Sequence, residues 1–205
     1  ASLLEANVNF DSEADYVVSY GDIVFREKTV RQLIDLEADV GIAVDSSWRH
    51  RYLNRTADDL NRSEKVQTSD KNMLESGNSI TVEQANAEFI GLMKLKPHVL
   101  RFLKDKSETF LPEMRKAPLT GLFDFLKANK FNIEIVDVEG DWAELNEPHD
   151  LANFILGTKA QSLRRLEKVI TLSKIAPQVS FTVDEWLTGA KEIVSNIQDK
   201  IFYLD

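Results

Sequence analysis

Cysteine is absent from this chain of 205 residues, and histidine is rare. Without cysteine there can be no disulfide, thiol nucleophile or cysteine-ligated zinc, and such a composition suits the reducing cytoplasm, where we expect the protein. The three histidines, His50, His98 and His149, lack the spacing of metal ligands, which argues against a zinc enzyme. No apolar run approaches the length of a transmembrane helix, so we expect no membrane partner.

Basic residues are also in short supply. The chain has 34 acidic and 25 basic residues, which give a formal net charge of −9. Because nucleic acids and anionic membranes attract basic surfaces, this charge argues against either partner. The other proportions, 43% hydrophobic and 29% charged residues, are those of an ordinary globular protein.

The first third of the chain has a strand–helix–strand pattern. β-rich residues predict a strand over Tyr16–Ser19, apolar spacing predicts a helix over Thr29–Glu37, and an apolar run predicts a buried strand over residues 39–45. The short connections predict a parallel pair of strands with a right-handed crossover. An acidic residue stands where each strand ends, at Asp22 and Asp45.

The alternation of strands and helices continues along the chain. We predict a polar loop, a hairpin, a buried strand, two helices, another strand, and then two amphipathic helices with a strand-like end. These segments are residues 46–62, 64–75, 87–93, 97–103, 119–126, 131–136, 163–170, 182–197 and 200–205. The predicted fold is α/β, with a mixed, mostly parallel sheet, helices on both faces and a helical C-terminal extension. We place the domains at residues 1–156 and 157–205.

Asp22 is the first candidate site residue. Open α/β sheets bind ligands outside the carboxyl ends of their strands, and a carboxylate there can hold a divalent cation against a nucleotide phosphate. The alternative is a turn, because a Gly-Asp pair after a strand is commonly a turn. Asp45 has a similar alternative, because it can cap a helix that begins near Trp48.

Five motifs, in this order, resemble those of nucleotidyltransferases, and most of all the cytidylyltransferases of the sugar-phosphate and phosphocholine type, including those fused to phosphonate-pathway enzymes. The similarity covers roughly Ser2 to Phe154. The motifs are Tyr20-Gly21-Asp22-Ile23, the series Val44-Asp45…Trp48…Tyr52…Arg55, Glu64-Lys65-Val66, Ala87-Glu88-Phe89-Ile90-Gly91 and Trp142-Ala143-Glu144-Leu145-Asn146.

The resemblance implies a magnesium site. Asp22 matches a magnesium ligand of the family, and the second metal carboxylate belongs where this chain has Asn146. An amide oxygen can bind a hard cation but brings no charge, so metal affinity should fall or Glu144 must help.

The family also opens with a Gly-rich loop that carries an Arg and a Lys and holds the triphosphate. Here the eight glycines are scattered and nothing of that kind precedes Ser2. We therefore expect the chain to be a fragment of a longer polypeptide. Residues from Gly157 to Trp186 resemble the start of a nucleotide-binding domain of PEP synthase or pyruvate phosphate dikinase, which implies a bifunctional, PEP- or pyruvate-binding parent.

We name Tyr20, Glu88, Lys65 and Trp142 as candidate substrate-binding residues. Glu88 lies within an apolar run, so it either contacts an amine or hydroxyl of the acceptor or faces solvent from an edge strand. Lys65 either meets a phosphate or is an ordinary surface lysine. Trp142 either walls a pocket, together with Tyr52, or packs in the core.

Two functions follow as hypotheses. The first is magnesium-dependent nucleotidyl transfer, with CTP favoured, to a small phosphorylated or phosphonate acceptor with release of pyrophosphate. The second is a non-catalytic binding or docking module, favoured by Asn146 and by the missing phosphate loop. An exposed sheet edge would make an oligomer possible.

Overall fold

The computed structural model describes residues 13–52, 56–77, 80–106, 119–146, 148–157, 159–167, 169–181 and 183–202. The chain divides into two compact units, residues 1–146 and residues 147–205. The sequence Ser2-Leu3-Leu4-Glu5-Ala6 is typical of the middle or end of a helix, and these residues lie outside the described part of the chain. None of the helices within these ranges is long and apolar enough to cross a membrane.

A six-stranded mixed sheet forms the centre of the first unit. Its strands are β1 (Tyr16–Ser19), β3 (Val40–Asp45), β4 (Lys65–Ser69), β5 (Asn72–Ser76), β6 (Ala87–Leu95) and β7 (Ile133–Asp137), in the spatial order β1-β6-β3-β7-β5-β4. Two short strands, β2 (Ile23–Phe25) and β8 (Trp142–Glu144), form a separate antiparallel ribbon.

Strand β6 is the longest of the described strands, and all nine of its residues are buried. It pairs with β3 on one side, and on the other with β1 through residues 92–95 and with β4 through residues 87–88. A strand covered on both faces and paired on both sides needs apolar residues along its length. This is why residues 87–95 form an almost continuous apolar run.

Helices pack on both faces of the sheet. The first unit contains α1 (Glu27–Ile34), α2 (Ala57–Arg62), α3 (Pro97–Lys106) and α4 (Leu119–Ala128), with a 3-10 helix at Trp48–Tyr52. Alternate residues of β3 point to opposite faces, so Ile42 packs in the cluster that contains Leu103 and Phe123, whereas Ala43 packs in the cluster with Leu33.

The predicted α/β class, the mixed sheet and the helices on both faces are confirmed, but the mostly parallel pairing is wrong. Among the described strands, β3 and β7 form the one parallel pair. Strands β1 and β3 run in the same direction without being neighbours, because β6 lies between them and is antiparallel to both. Local sequence patterns predict that strands close in sequence pair with each other. Here β6, which comes much later in the chain, lies between β1 and β3.

Helices are the regular secondary structure of the second unit in its described residues, and residues 169–181 between them are irregular. It contains α5 (Pro148–Leu156), α6 (Lys159–Glu167) and α7 (Val183–Phe202), the last with non-helical backbone at Gly189. The predicted strand-like end is wrong for residues 200–202, because the helical spacing of α7 continues through them; residues 203–205 lie outside the described part. The domain boundary after residue 156 stays a prediction, while the compact units meet after Asn146.

Candidate functional site

A polar cavity of about 320 Å³ opens beside the start of β6 and the β2–β8 ribbon. Both strands of the ribbon, the 3-10 helix, α2 and the residue before β4 contribute to its wall. Its ionisable side chains are mostly acidic: Asp59, Glu64, Glu88 and Glu144 line it, with Arg62. Such a wall disfavours a phosphate at its centre and favours neutral or cationic groups.

Glu88 is the most buried carboxylate of the cavity, with 5% of its surface exposed. The Tyr52 hydroxyl donates to its Oε1 at 2.5 Å, and Arg51 Nη1 lies 3.2 Å from its Oε2. Burial raises the pKa of Glu88 to about 7, against the lowering effects of the Tyr52 hydrogen bond and the Arg51 charge. The solvent-facing alternative for Glu88 is wrong, because β6 is an interior strand.

Tyr20 and Glu64 form a second tyrosine–glutamate pair in the same wall. The Tyr20 hydroxyl lies 2.9 Å from each Glu64 carboxylate oxygen, and the Tyr20 ring meets Phe89 edge-on at 6.0 Å between ring centroids. Burial is the main cause of the raised pKa of both the Tyr20 hydroxyl and the Glu64 carboxyl. The backbone leaves room for the ring at Gly91, whose φ is +85° and whose missing Cβ would lie 2.2 Å from it.

Arg51 joins two sides of the cavity. Its guanidinium contacts Glu88 through Nη1 at 3.2 Å and Glu144 through Nη2 at 3.4 Å, and it lies 3.9 Å from the Trp142 ring centroid. No motif in the sequence points to Arg51. The signal that was present is Glu88 itself, because a buried glutamate needs a cation or hydrogen-bond donors.

Trp142 and Asp45 hold this arrangement in place. The Trp142 indole is 7% exposed and both lines the cavity and packs in the core, so the two sequence alternatives are not exclusive. Its Nε1 donates to Asp45 at 2.8 Å. The other Asp45 oxygen accepts from the backbone N–H groups of Ser47 at 2.8 Å and Gly140 at 2.9 Å. Asp45 therefore orders the turns around the site, close to the capping role predicted for it.

The β2–β8 ribbon brings the three candidate metal ligands to one edge. Ile23 pairs with Glu144, and the Leu145 N–H donates to the Asp22 carbonyl at 2.7 Å. Glu144 and Asn146 line the cavity, whereas Asp22 is exposed beside it and does not line it.

No group of three or more histidine, aspartate or glutamate side chains in the described residues is arranged to hold a metal ion. Magnesium nevertheless needs no all-protein cage, since it commonly uses one or two carboxylates with water and substrate phosphates. The oxygen donors of Asp22, Glu144 and Asn146 are compatible with that requirement.

Lys65 is not among the residues that line the cavity. Its ammonium donates to the backbone carbonyls of Asn61 at 2.6 Å and Ser63 at 3.3 Å, and the residue is 4% exposed. Burial lowers its pKa. The surface-lysine alternative is therefore wrong, and a phosphate contact stays a prediction.

Comparisons with known proteins agree with this architecture. No family model matches the chain. Over 149 residues it is 26% identical to the CTP:phosphoglutamine cytidylyltransferase of Campylobacter jejuni subsp. jejuni serotype O:2, a match that covers 69% of this chain and 59% of that protein.

Two solved structures resemble the fold. The inositol-1-phosphate CTP transferase of T. maritima has a TM-score of 0.53 at 19% identity, over 78% of this chain and 60% of that one. A protein described as a glucose-1-phosphate thymidylyltransferase of Bacillus anthracis has a TM-score of 0.51 at 13% identity, over 81% and 59%. The predicted likeness to nucleotidyltransferases is confirmed, and the chain spans about 60% of the length of these relatives.

Proposed function

We propose that this chain carries part of a magnesium-dependent nucleotidyltransferase that moves a nucleotidyl group, cytidylyl in particular, to a phosphate or phosphonate acceptor. One observation carries the proposal: the β2–β8 ribbon places Glu144 and Asn146 in the wall of a polar cavity and Asp22 beside it. The sequence similarity to a CTP-dependent cytidylyltransferase supports the choice of CTP.

In this scheme Asp22 and Asn146, with Glu144, would hold the magnesium ion. The bound ion supplies charge neutralisation at the α-phosphate, where an acceptor oxygen forms a bond as the bond to pyrophosphate breaks. The chain's own task is to position the reactants, since such transfers need no covalent intermediate on the protein. Tyr20 and Tyr52 remain hydroxyl donors because their pKa values are raised, mainly by burial.

The acidic cavity suits the end of the acceptor that carries no phosphate. Three of its four carboxylates are already engaged: Asp59 by the start of α2, Glu88 by Tyr52 and Arg51, and Glu144 by Arg51. Within the described chain no lysine, arginine or histidine forms an ion pair with Glu64, whose hydrogen bond comes from Tyr20. We therefore assign the acceptor's amine or hydroxyl to Glu64 first, and to Glu88 second.

The alternative function is a binding module without catalysis. Two observations favour it: Asn146 stands where the resemblance implies an aspartate, and Glu144 is already paired with Arg51. Both reduce the negative charge available to a metal ion. A module of this kind would bind nucleotide or acceptor without releasing pyrophosphate.

Several wider features belong to the same proposal. Because no segment of this chain matches the Gly-rich loop that the resemblance implies, the triphosphate-binding part would come from a longer polypeptide or from a different partner chain. The helical second unit would begin the domain that resembles PEP synthase or pyruvate phosphate dikinase. The cysteine-free composition supports the cytoplasm as its location.

The test is calorimetric titration with CTP and magnesium, combined with measurement of pyrophosphate release, on the wild-type chain and Asp22→Asn. We expect binding that is lost in Asp22→Asn, because the cation loses its principal carboxylate. Asp35→Asn is the matched control, since Asp35 is an exposed acid at the end of α1.

Binding without pyrophosphate release would support the binding module. An equal signal in wild type and Asp22→Asn would remove the proposed metal role of Asp22.

A further inference from the structure

We propose that Arg51 is a positioning residue that competes with the divalent cation for Glu144. It thereby links the cavity to the metal edge, by which we mean the end of the β2–β8 ribbon that carries Asp22, Glu144 and Asn146. This inference rests on the proposed function, because it takes Glu144 to be a ligand or near neighbour of that cation. It concerns a residue that no motif in the sequence singles out.

The first support is the geometry of the bridge. Two different nitrogens of one guanidinium contact carboxylates on separate sheets, Glu88 on β6 and Glu144 on β8. A planar arginine fork can make both contacts at once, whereas the single ammonium of lysine cannot do so in the same way. The bridge therefore connects the inner wall of the cavity with the edge where the metal ligands meet.

The second support is the fixed position of the guanidinium. It stacks on Trp142, whose indole is in turn bonded to the fully buried Asp45. Stacking on tryptophan and two charged contacts restrain Arg51 close to Glu144. A cation that binds the Glu144 carboxylate must displace or share this contact.

The third support is the unequal burial of the two partners. The Glu88 side chain is 6% exposed and that of Glu144 is 38% exposed. Breaking an ion pair with a buried carboxylate leaves an uncompensated charge, while an exposed carboxylate is solvated by water. Arg51 therefore gives up its contact with Glu144 first and keeps its contact with Glu88. A cation can then bind Glu144 while the ion pair in the cavity wall stays intact.

The local charge leads to the same expectation. Asp22 and Glu144 supply two negative charges to the edge, and Arg51 cancels one of them within ion-pair distance. Removal of the guanidinium frees Glu144 and should strengthen cation binding. The gain should depend on Glu144, which separates competition from a general change in charge.

The experiment is a titration of the wild-type chain with Mn²⁺ alone, in which the free ion is measured by electron paramagnetic resonance. We expect Arg51→Met to bind Mn²⁺ about threefold more tightly, the effect of a partly exposed ion pair. The double variant Arg51→Met/Glu144→Gln should bind no more tightly than Glu144→Gln. Arg62→Met is the control, because Arg62 lines the same cavity and forms no ion pair with Glu144 in the described residues.

Equal gains in Arg51→Met and Arg62→Met, or a gain that persists without Glu144, would overturn the competition. An unchanged affinity in Arg51→Met would do the same. If Arg51→Met does not fold, Arg51→Lys serves in its place and should show a smaller gain. Asp22→Asn reports separately on the proposed metal site: if it binds Mn²⁺ like wild type, the proposed function fails whatever Arg51 does.

Discussion

The two tyrosine–glutamate pairs of the cavity have the same chemistry and different surroundings. In each pair a tyrosine hydroxyl donates to a glutamate carboxylate, Tyr52 to Glu88 and Tyr20 to Glu64. Glu88 also has the guanidinium of Arg51 and is the more buried of the two. Glu64 forms no ion pair within the described residues.

This difference distinguishes a carboxylate whose charge is balanced by the protein's own side chains from one that still has capacity to bind a ligand. A buried carboxylate that already contacts a cation and a hydroxyl donor has little acceptor capacity left, and a ligand gains little by replacing those partners. A carboxylate that faces a cavity with one neutral donor still has unused acceptor capacity. The two pairs therefore differ in what they leave unused: Glu88 is held by Arg51 and Tyr52, whereas Glu64 keeps acceptor capacity for the amine or hydroxyl that we propose it binds.

Displacing Tyr20 of the Tyr20–Glu64 pair should have the largest effect on stability. Gly91→Ala places a Cβ at the Tyr20 ring and forces alanine into a positive φ. We expect a loss of about 4 kcal/mol in the free energy of unfolding, from backbone strain and the displaced tyrosine. Urea denaturation measures it.

Gly21→Ala is the matched control, because nothing lies within 4 Å of the Cβ that it would add. It should stay within about 0.5 kcal/mol of wild type. A loss of equal size in both variants would show that the Tyr20 ring is not the reason why position 91 requires glycine.

The pH dependence of stability should distinguish Glu88 from a simple surface acid. Its pKa is raised from 4.5 to about 7 by burial, so the folded state holds the proton more tightly than the unfolded state. The stabilisation that this provides is fully present below pH 4.5 and is lost as the pH rises through 7. Glu88→Gln keeps an uncharged side chain throughout and should be more stable than wild type by about 2–3 kcal/mol at pH 8, with little difference at pH 4.

Urea denaturation of both proteins at several pH values gives this difference directly. Glu75→Gln, at an exposed position of β5, is the control and should show no such trend. A constant difference between wild type and Glu88→Gln from pH 4 to pH 8 would contradict the raised pKa.

Much of the fold could be predicted from local patterns, because the buried strands β3 and β6 and the helices α3 and α4 have clear apolar periodicity. The strand order could not. It depends on β6 entering between β1 and β3, and no local pattern encodes which strands become neighbours. The end of α7 was missed for a related reason, since Ile201 and Phe202 suit a strand as well as a helix.

The candidate site divides in the same way. Motif order singled out Tyr20, Glu88, Trp142, Glu144 and Asn146, and these five residues line one cavity. The bridging contacts of Arg51 and the unused acceptor capacity of Glu64 could not be predicted, because both depend on distances between elements that are far apart in the chain. Such pairings become visible only when the chain is folded.

The smallest effect should appear in acceptor binding and would sharpen the contrast between the two glutamates. Glu64→Gln keeps an oxygen for the Tyr20 hydroxyl and removes the negative charge, so it should weaken binding of aminoethyl phosphate about fivefold. Binding of propyl phosphate, which has no amine, should be unchanged. Calorimetry in the absence of nucleotide measures both ligands. Equal weakening for both ligands would show that Glu64 shapes the cavity without recognising the amine. A stronger effect of Glu88→Gln than of Glu64→Gln on aminoethyl phosphate would assign recognition of the amine to the Tyr52–Glu88 pair.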